Sequence, residues 1–197
     1  MRRFVVVGQT AGASGDFLLD DLPGTSGRLD VLIRCIRAAL LVSHGLRRDT
    51  IVYLVLLGGS RAPRTVRMDG ATVRFIRPDE RSLATLLKKS LQAPGTCGED
   101  FVLVRPGISI AACGIEAVLR EVEGSAHYVL EEGAADVRGV ALDTDNATFF
   151  VGDHLGFDAV TREALRGATA IGVGPVSLHA DDAVVVVSNE LDRRQAT

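Results

Sequence analysis

Three short stretches in the second half of the chain carry residue types that hold small ligands: Glu131-Glu132-Gly133, Gly152-Asp153-His154-Leu155-Gly156 and Gly172-Val173-Gly174-Pro175. Each follows an apolar run and so reads as a turn at the carboxyl end of a strand, where open α/β sheets bind their ligands. The clearest is Phe149 to Phe157, FFVGDHLGF, in which a run of buried character breaks at Gly-Asp-His and returns at once to Leu-Gly-Phe. Together the three turns are placed to line one crevice, although each glycine taken singly also reads as a plain turn residue. Gly172-Val173-Gly174 starts like a dinucleotide fingerprint, but Pro175 follows and the full GxGxxG spacing is missing, which argues against a classical dinucleotide site. His154 and His179 stand beside Asp153 and beside Asp181-Asp182. No HxH or HExxH spacing supports a metal there, and no GxSxG elbow supports a serine hydrolase.

The first half offers arginines instead. In Asp21 to Asp30, DLPGTSGRLD, Leu22-Pro23-Gly24 makes a turn, Thr25, Ser26 or Gly27 caps a helix, and Arg28 falls in the first helical turn beside Asp30. A cation at a helix N-terminus opposes the macrodipole, so Arg28 asks for a reason other than helix stability. Arg47-Arg48-Asp49-Thr50 lies between that helix and the next strand; with Arg28 the pair reads as an anion-binding surface, or else as a solvated connection. Asp30 equally reads as an ion-pair partner of Arg28 or Arg34, and Asp153 as the acceptor of a turn-forming hydrogen bond.

The elements that must position these residues alternate. Strands are expected at Phe4–Val7, Ile51–Leu57, Ala126–Leu130, Ala147–Val151 and Thr169–Val173, and helices at Leu29–Ser43 (stopped by Gly45), Ser82–Leu91, Ile115–Val122 and Asp158–Arg166. Asp69-Gly70, between Thr65–Met68 and Thr72–Ile76, suits a two-residue hairpin. Alternation of this kind implies an α/β fold with a mostly parallel sheet. In the last segment, LHADDAVVVVSNELDRR, four successive valines (Val184 to Val187) favour a strand, whereas the alanine-rich start and polar end favour a largely buried helix.

At 197 residues and 47% hydrophobic content the chain is long enough for one well-buried domain, with Gln92–Gly98 the best linker candidate. Its apolar runs are too short to span a bilayer and its start lacks a signal-peptide core, so a cytoplasmic protein is expected. Three cysteines without CxxC spacing suggest neither a disulfide framework nor a zinc site. The net charge of −3 conceals a division: residues 26–97 hold thirteen Lys/Arg against five Asp/Glu, and residues 98–197 hold seven against seventeen. Eleven of those thirteen cations are arginines, whose planar fork suits phosphates and base edges; the segment reads as a nucleic-acid face or as a solvated arginine-rich one.

DLPGTSGRLD, Arg34-Cys35, Ser43–Thr50 (SHGLRRDT), Pro78–Arg81 (PDER), Lys88-Lys89, VGDHLGF and Gly174–Asp181 (GPVSLHAD) resemble, in order and spacing over nearly the whole chain, the TrmY family of tRNA (pseudouridine-54, N1)-methyltransferases. That family belongs to the SPOUT class, so the resemblance implies a SPOUT-type α/β fold with a deep C-terminal trefoil knot, against the general rule that chains avoid threading. It further implies a helix at Val184–Val187 and a homodimer. The chain is then a single domain, 1–197, with a basic RNA-facing part (1–97) and a knotted cofactor-binding part (98–197). The resemblance puts S-adenosyl-L-methionine against Leu130, Gly152, Ile171, Gly172, Val173, Gly174, Pro175, Val176, Ser177 and Leu178. It leaves Arg28, Arg47 and Arg48 to contact tRNA, and Asp30 or Asp153 to orient or deprotonate the target base; no metal and no membrane enter.

Pseudouridine keeps a proton on N1 that uridine lacks, and the implied reaction is its direct N1-methylation in a tRNA T-loop, helped by orientation and by support of the developing base anion. One departure is Ala183, where family members commonly carry a cysteine: either that thiol helps to position cofactor or target base, so that activity or substrate choice differs here, or it only packs and Ala replaces it, the reading we favour. Two other readings of the same residues are a SPOUT methyltransferase of a different RNA nucleotide, such as a ribosomal pseudouridine, and a non-catalytic dimeric RNA-binding homologue.

Overall fold

The structure is a computed structural model and describes residues 1–196. In chain order, β1 (Arg2–Gly12) leads to a single helical turn, α1 (Leu22–Thr25), and to the amphipathic α2 (Leu29–Leu40). The two-residue strands β2 (Leu41–Val42) and β3 (Gly45–Leu46) precede β4 (Thr50–Gly58), β5 (Arg64–Asp69) and α3 (Glu80–Leu91). Then come β6 (Val102–Arg105), β7 (Ile108–Ala111), α4 (Ile115–Glu121), β8 (Ala126–Leu130), β9 (Ala147–Gly152), α5 (Ala159–Ala164), β10 (Thr169–Ile171) and α6 (Ala180–Gln195).

One eight-stranded sheet, in the order β10-β8-β9-β1-β4-β5-β7-β6, takes strands from both halves of the chain. From β10 to β4 the pairings are parallel, and from β4 to β6 they are antiparallel. β1 is central, and Phe4 to Val7 are fully buried because helices cover both faces of a parallel strand. Phe4 and Val6 belong to the apolar layer that includes residues of α2, α3 and α6, while Val5 and Val7 belong to the one that includes Ile115 and Val118 of α4 together with Phe157 and Leu165. These two apolar layers make the α/β fold with a mostly parallel sheet that the alternation implies.

The last segment is helical. In α6 the residues Ala183, Val184, Val187, Ser188 and Leu191 are buried, a three-to-four-residue spacing, and α6 packs against α2, which is buried along most of its length. Packing of that face overrides the strand preference of consecutive valines. Residues 131–140 run against both ends of the C-terminal segment. Gly172 donates to the Ala135 carbonyl and accepts from Val137 N, and Arg194 donates to the carbonyls of Val137, Arg138 and Val140.

Two expected features are placed differently, and two strands are additional. The helix from Leu29 ends at Leu40, not Ser43, because Leu41 turns extended and Gly45 lies within the β2–β3 hairpin rather than stopping the helix. Asp69-Gly70 does not turn a hairpin: both edges of β5 are taken, by β4 and by β7, so Thr72–Ile76 finds no edge and runs on to α3. β6 and β7, short and joined through Pro106-Gly107, were not anticipated from the sequence; Gly107 adopts φ +71 in their connection.

Candidate functional site

The carboxyl ends of β8, β9 and β10 open onto a cavity of about 900 Å³, closed on the other side by α2 and the start of α6. Leu130, Gly152, Ile171, Val173, Gly174, Pro175, Val176, Ser177 and Leu178 all line it. Gly172 does not; its N–H and carbonyl are used against Ala135 and Val137, which holds the segment 173–178 in place. Gly152 is required by close approach, since a Cβ there would lie 2.8 Å from Gly156 Cα. The wall is apolar at Leu130, Val151 and Ile171 and acidic at Glu131 and Glu132, where the Ser177 hydroxyl donates to Glu132. This mixture suits a flat heteroaromatic ring carried with a positive charge.

Asp153 sits on the floor with both carboxylate oxygens engaged by backbone. Oδ2 accepts from Gln9 N at 2.8 Å and Oδ1 from Leu155 N at 2.8 Å, while its own N–H donates to the Val7 carbonyl. The Gly-Asp-His turn therefore locks β9 to the end of β1 and presents a nearly buried carboxylate to the cavity. Each oxygen keeps a lone pair for a ligand N–H.

The opposite wall comes from the start of α2. Gly27 and Arg28 both adopt left-handed backbone, φ +64 and +68, and a Cβ at position 27 would fall 1.8 Å from the Thr10 carbonyl oxygen. Arg28 is thus the residue just before the helix rather than in its first turn, with the Ser26 hydroxyl accepting from Leu29 N. Arg28 lines the cavity and grips Asp30 through Nε and Nη2 at 3.0 and 3.2 Å; Arg34 Nη1 donates to the same carboxylate at 3.0 Å. Burial works to raise the Asp30 pKa, but the two guanidinium groups outweigh it and hold the carboxyl below its usual range; that of Arg28 is raised, chiefly by its hydrogen bond to Asp30. Asp30 does not line the cavity. Two arginines share one buried carboxylate, Arg34 also approaches Asp181 Oδ2 at 3.7 Å and Glu80 Oε2 at 4.0 Å, and both guanidinium groups line the cavity.

Arg47 and Arg48 lie elsewhere. Arg47 makes a two-pronged pair with Asp192 of α6, at 2.8 and 2.6 Å, and Arg48 donates to the carbonyls of Gly70 and Ala71. The structure therefore brings Arg28, Asp153 and the cofactor-loop residues together and leaves Arg47 and Arg48 outside the cavity.

Arg34, Arg162 and Phe157 line the cavity without having been singled out for it. The four-residue spacing of Arg34 from Asp30 is a usable signal, because it puts both on one helix face. Arg162 reaches back from α5 to donate to the Phe157 carbonyl at 3.1 Å and to Glu131 Oε1 at 3.4 Å, and no local pattern announces that. Ala183 also lines the cavity, 6% exposed. Among the described residues no group of three His, Cys, Asp or Glu could hold a metal ion, and no helix is long and apolar enough to cross a membrane.

Residues 1–196 match a family model described as "Putative SAM-dependent RNA methyltransferase". The tRNA (pseudouridine(54)-N(1))-methyltransferase of Methanococcoides burtonii is 40% identical over 197 residues, 98% of this chain and 96% of the relative. The Halobacterium salinarum protein of the same name is 44% identical over 195 residues, with the same coverage. Among solved structures, Archaeoglobus fulgidus Nep1 bound to S-adenosylhomocysteine aligns over 99% of each chain with a TM-score of 0.67 and 14% identity, a likeness of fold.

Proposed function

The chain belongs to the tRNA (pseudouridine-54, N1)-methyltransferase family, and we propose that the cavity between β9, the 173–178 segment and α2 is where S-adenosyl-L-methionine meets N1 of pseudouridine 54. It is an S-adenosyl-L-methionine-dependent methyltransferase of tRNA with a SPOUT-type fold. The observation that carries the site assignment is the single cavity of about 900 Å³ shared by the cofactor segment and Arg28.

The residues present fit the cofactor. Leu130, Val151 and Ile171 offer an apolar slot for adenine, Gly152 removes the side chain where backbone must come close, and Glu132, with Glu131 beside it paired to Arg162, faces a cationic ligand. The cofactor, when bound, supplies a methyl group activated on a sulfonium; the rest falls to the chain. Asp153, rigid on its two backbone amides, orients the base by accepting from N1–H and takes or relays that proton. Arg28, which lines the cavity and is 44% exposed at its side chain, supports the base as negative charge develops on it, through the Nη1 that its pair with Asp30 leaves unused. Asp30 serves here as the shared partner of two arginines, since a carboxyl held below its usual range is a poor proton acceptor.

We extend the reading to the fold and assembly. A trefoil knot formed by α6 behind residues 131–140 is supported by the bonds of that segment to Gly172 and Arg194. A homodimer is supported by exposed apolar side chains at Leu155, Val176 and Leu178 of the cavity lining, Val160 of α5 and Val185 of α6. The division into an RNA-facing part, 1–97, and a cofactor-binding part, 98–197, is supported by the charge map, and a cytoplasmic location by the tRNA substrate.

The test is methyl transfer from labelled S-adenosyl-L-methionine to one tRNA transcript carrying either pseudouridine or uridine at position 54. Label on the pseudouridine version alone is expected. Label on both would place the target at another nucleotide, and label on neither would favour the binding-protein reading.

A further inference from the structure

Phe75 is 87% exposed and adopts φ +62. Either feature is unusual for a phenylalanine; together they describe a large apolar ring held in solvent on a backbone that L-residues with bulky side chains avoid. The surroundings explain why it stays there. Val73, buried and hydrogen-bonded through its N–H to the Asp69 carbonyl, anchors the segment on one side, and Ile76 packs against the core on the other. The loop is thus pinned at both flanks and the ring projects between them, with no aromatic partner among the described residues.

Its neighbours are cations. Arg74 and Arg77 are exposed on either side, and neither takes part in an ion pair among those of the described residues. They belong to the segment 26–97, in which Lys/Arg outnumber Asp/Glu thirteen to five. Five residues after Phe75, Glu80 Oε2 lies 4.0 Å from Arg34 Nη1, and Arg34 lines the cavity. Five residues span at most about 18 Å between Cα atoms, which bounds the distance from the backbone of Phe75 to that of Glu80, the residue in contact with the cavity-lining Arg34.

We propose that Phe75 is a stacking platform for an unpaired base of the tRNA, with Arg74 and Arg77 taking the phosphates on either side. An exposed aromatic ring between arginines is the arrangement by which proteins hold single-stranded nucleic acid, since every base has a π-face and every nucleotide a phosphate. The occupant is an RNA loop rather than a protein, because two exposed guanidinium groups beside the ring, neither in an ion pair within 4.0 Å among the described residues and only Arg77 within reach of an acidic neighbour, Asp79, favour a polyanion. The proposal rests on the tRNA reading above and deepens it by naming a contact outside the methyl-transfer cavity.

The experiment compares full-length wild type with Phe75→Gly, Phe75→Leu and Phe75→Trp by filter binding of a pseudouridine-54 tRNA, by calorimetry with S-adenosyl-L-methionine and by thermal unfolding. Stacking predicts that the glycine and leucine variants bind tRNA about fivefold or more weakly while the tryptophan variant binds within about twofold of wild type. Cofactor affinity is unchanged throughout. Glycine, at home at φ +62, leaves the unfolding midpoint equal or higher, whereas a structural role for the ring would lower it. Unchanged tRNA affinity in Phe75→Gly, full binding by Phe75→Leu, or a loss of self-association in sedimentation would each overturn the proposal, the last in favour of a protein interface. Filter binding reads RNA affinity without turnover, so a wrong target nucleotide would show in the methyl-transfer assay and leave this result standing.

Discussion

Arg47 and Asp192 stand 145 residues apart in sequence and meet in a two-pronged ion pair, Nη1 to Oδ1 at 2.8 Å and Nη2 to Oδ2 at 2.6 Å. Asp192 also accepts from Nη1 of the buried Arg2 at 2.8 Å, so the last turns of α6 are tied both to the first residue of β1 and to the loop before β4. Arg47→Ala is expected to cost about 1–3 kcal/mol, nearer the lower figure because Asp192 is partly exposed. That lowers the unfolding midpoint by about 2–4 °C per kcal/mol at this chain length. A double cycle with Asp192→Ala measures the coupling. A tenfold loss of tRNA affinity at unchanged stability would instead make Arg47 an RNA contact.

The same carboxylate gives the acid limb of the stability curve its slope. Burial pushes the Asp192 pKa up, but hydrogen bonds from Arg47 and Arg2 outweigh that and leave it lowered; Asp30 is lowered in the same way by Arg28 and Arg34. A carboxyl whose folded pKa lies below its unfolded value contributes stability above the unfolded value, about 3.9, and loses it as pH falls through the folded one. Denaturant midpoints are therefore expected to hold from neutral pH to about 5 and to drop below about 4. Asp192→Asn should flatten that drop; an unaltered profile would refute the assignment.

Arg28→Ala should weaken tRNA binding, reduce the salt slope of log K by about one and leave the affinity for S-adenosyl-L-methionine intact. Arg34 remains to pair Asp30, so the helix keeps its buried carboxylate satisfied. Equal losses for tRNA and cofactor would show that the two walls of the cavity do not divide the work in this way.

Asp153→Asn keeps the size of the side chain but replaces one acceptor oxygen by a donor, setting an N–H against Gln9 N or Leu155 N. If Asp153 orients and deprotonates the base, kcat falls by about 10²–10⁴ while cofactor affinity stays within a few fold. A variant with near-normal kcat and a lower melting temperature would reduce Asp153 to a turn-forming residue.

Gly152→Ala places a methyl group 2.8 Å from Gly156 Cα and 3.0 Å from Gly156 C, where only backbone movement makes room. The expected cost is about 1–3 kcal/mol of stability, with a matching loss of cofactor affinity as the GDHLG turn opens. Calorimetry with S-adenosylhomocysteine checks it. Unchanged affinity would mean that the turn is not part of the cofactor wall.

Elements whose signal is local were legible from the residues alone. The runs that became β1, β4, β8, β9 and β10 are apolar enough to be read directly, and the glycines after them marked the sheet end at which Leu130, Gly152 and Ile171 line the cavity. Arg28 stood out because a cation is misplaced at a helix start, and the spacing from Asp30 to Arg34 foretold their ion pair. Tertiary structure decided what local signal cannot hold. Whether VVVV is strand or helix depends on the face that α2 offers it, and whether Asp69-Gly70 closes a hairpin depends on β7, nearly forty residues away, having taken the edge. Whether Arg47 is free for RNA or bound to α6 depends on Asp192, which only the return of the chain's end brings near. Side-chain period and turn chemistry act over a few residues, whereas partner choice for a charge or a sheet edge is settled by which distant segments the packed core brings together.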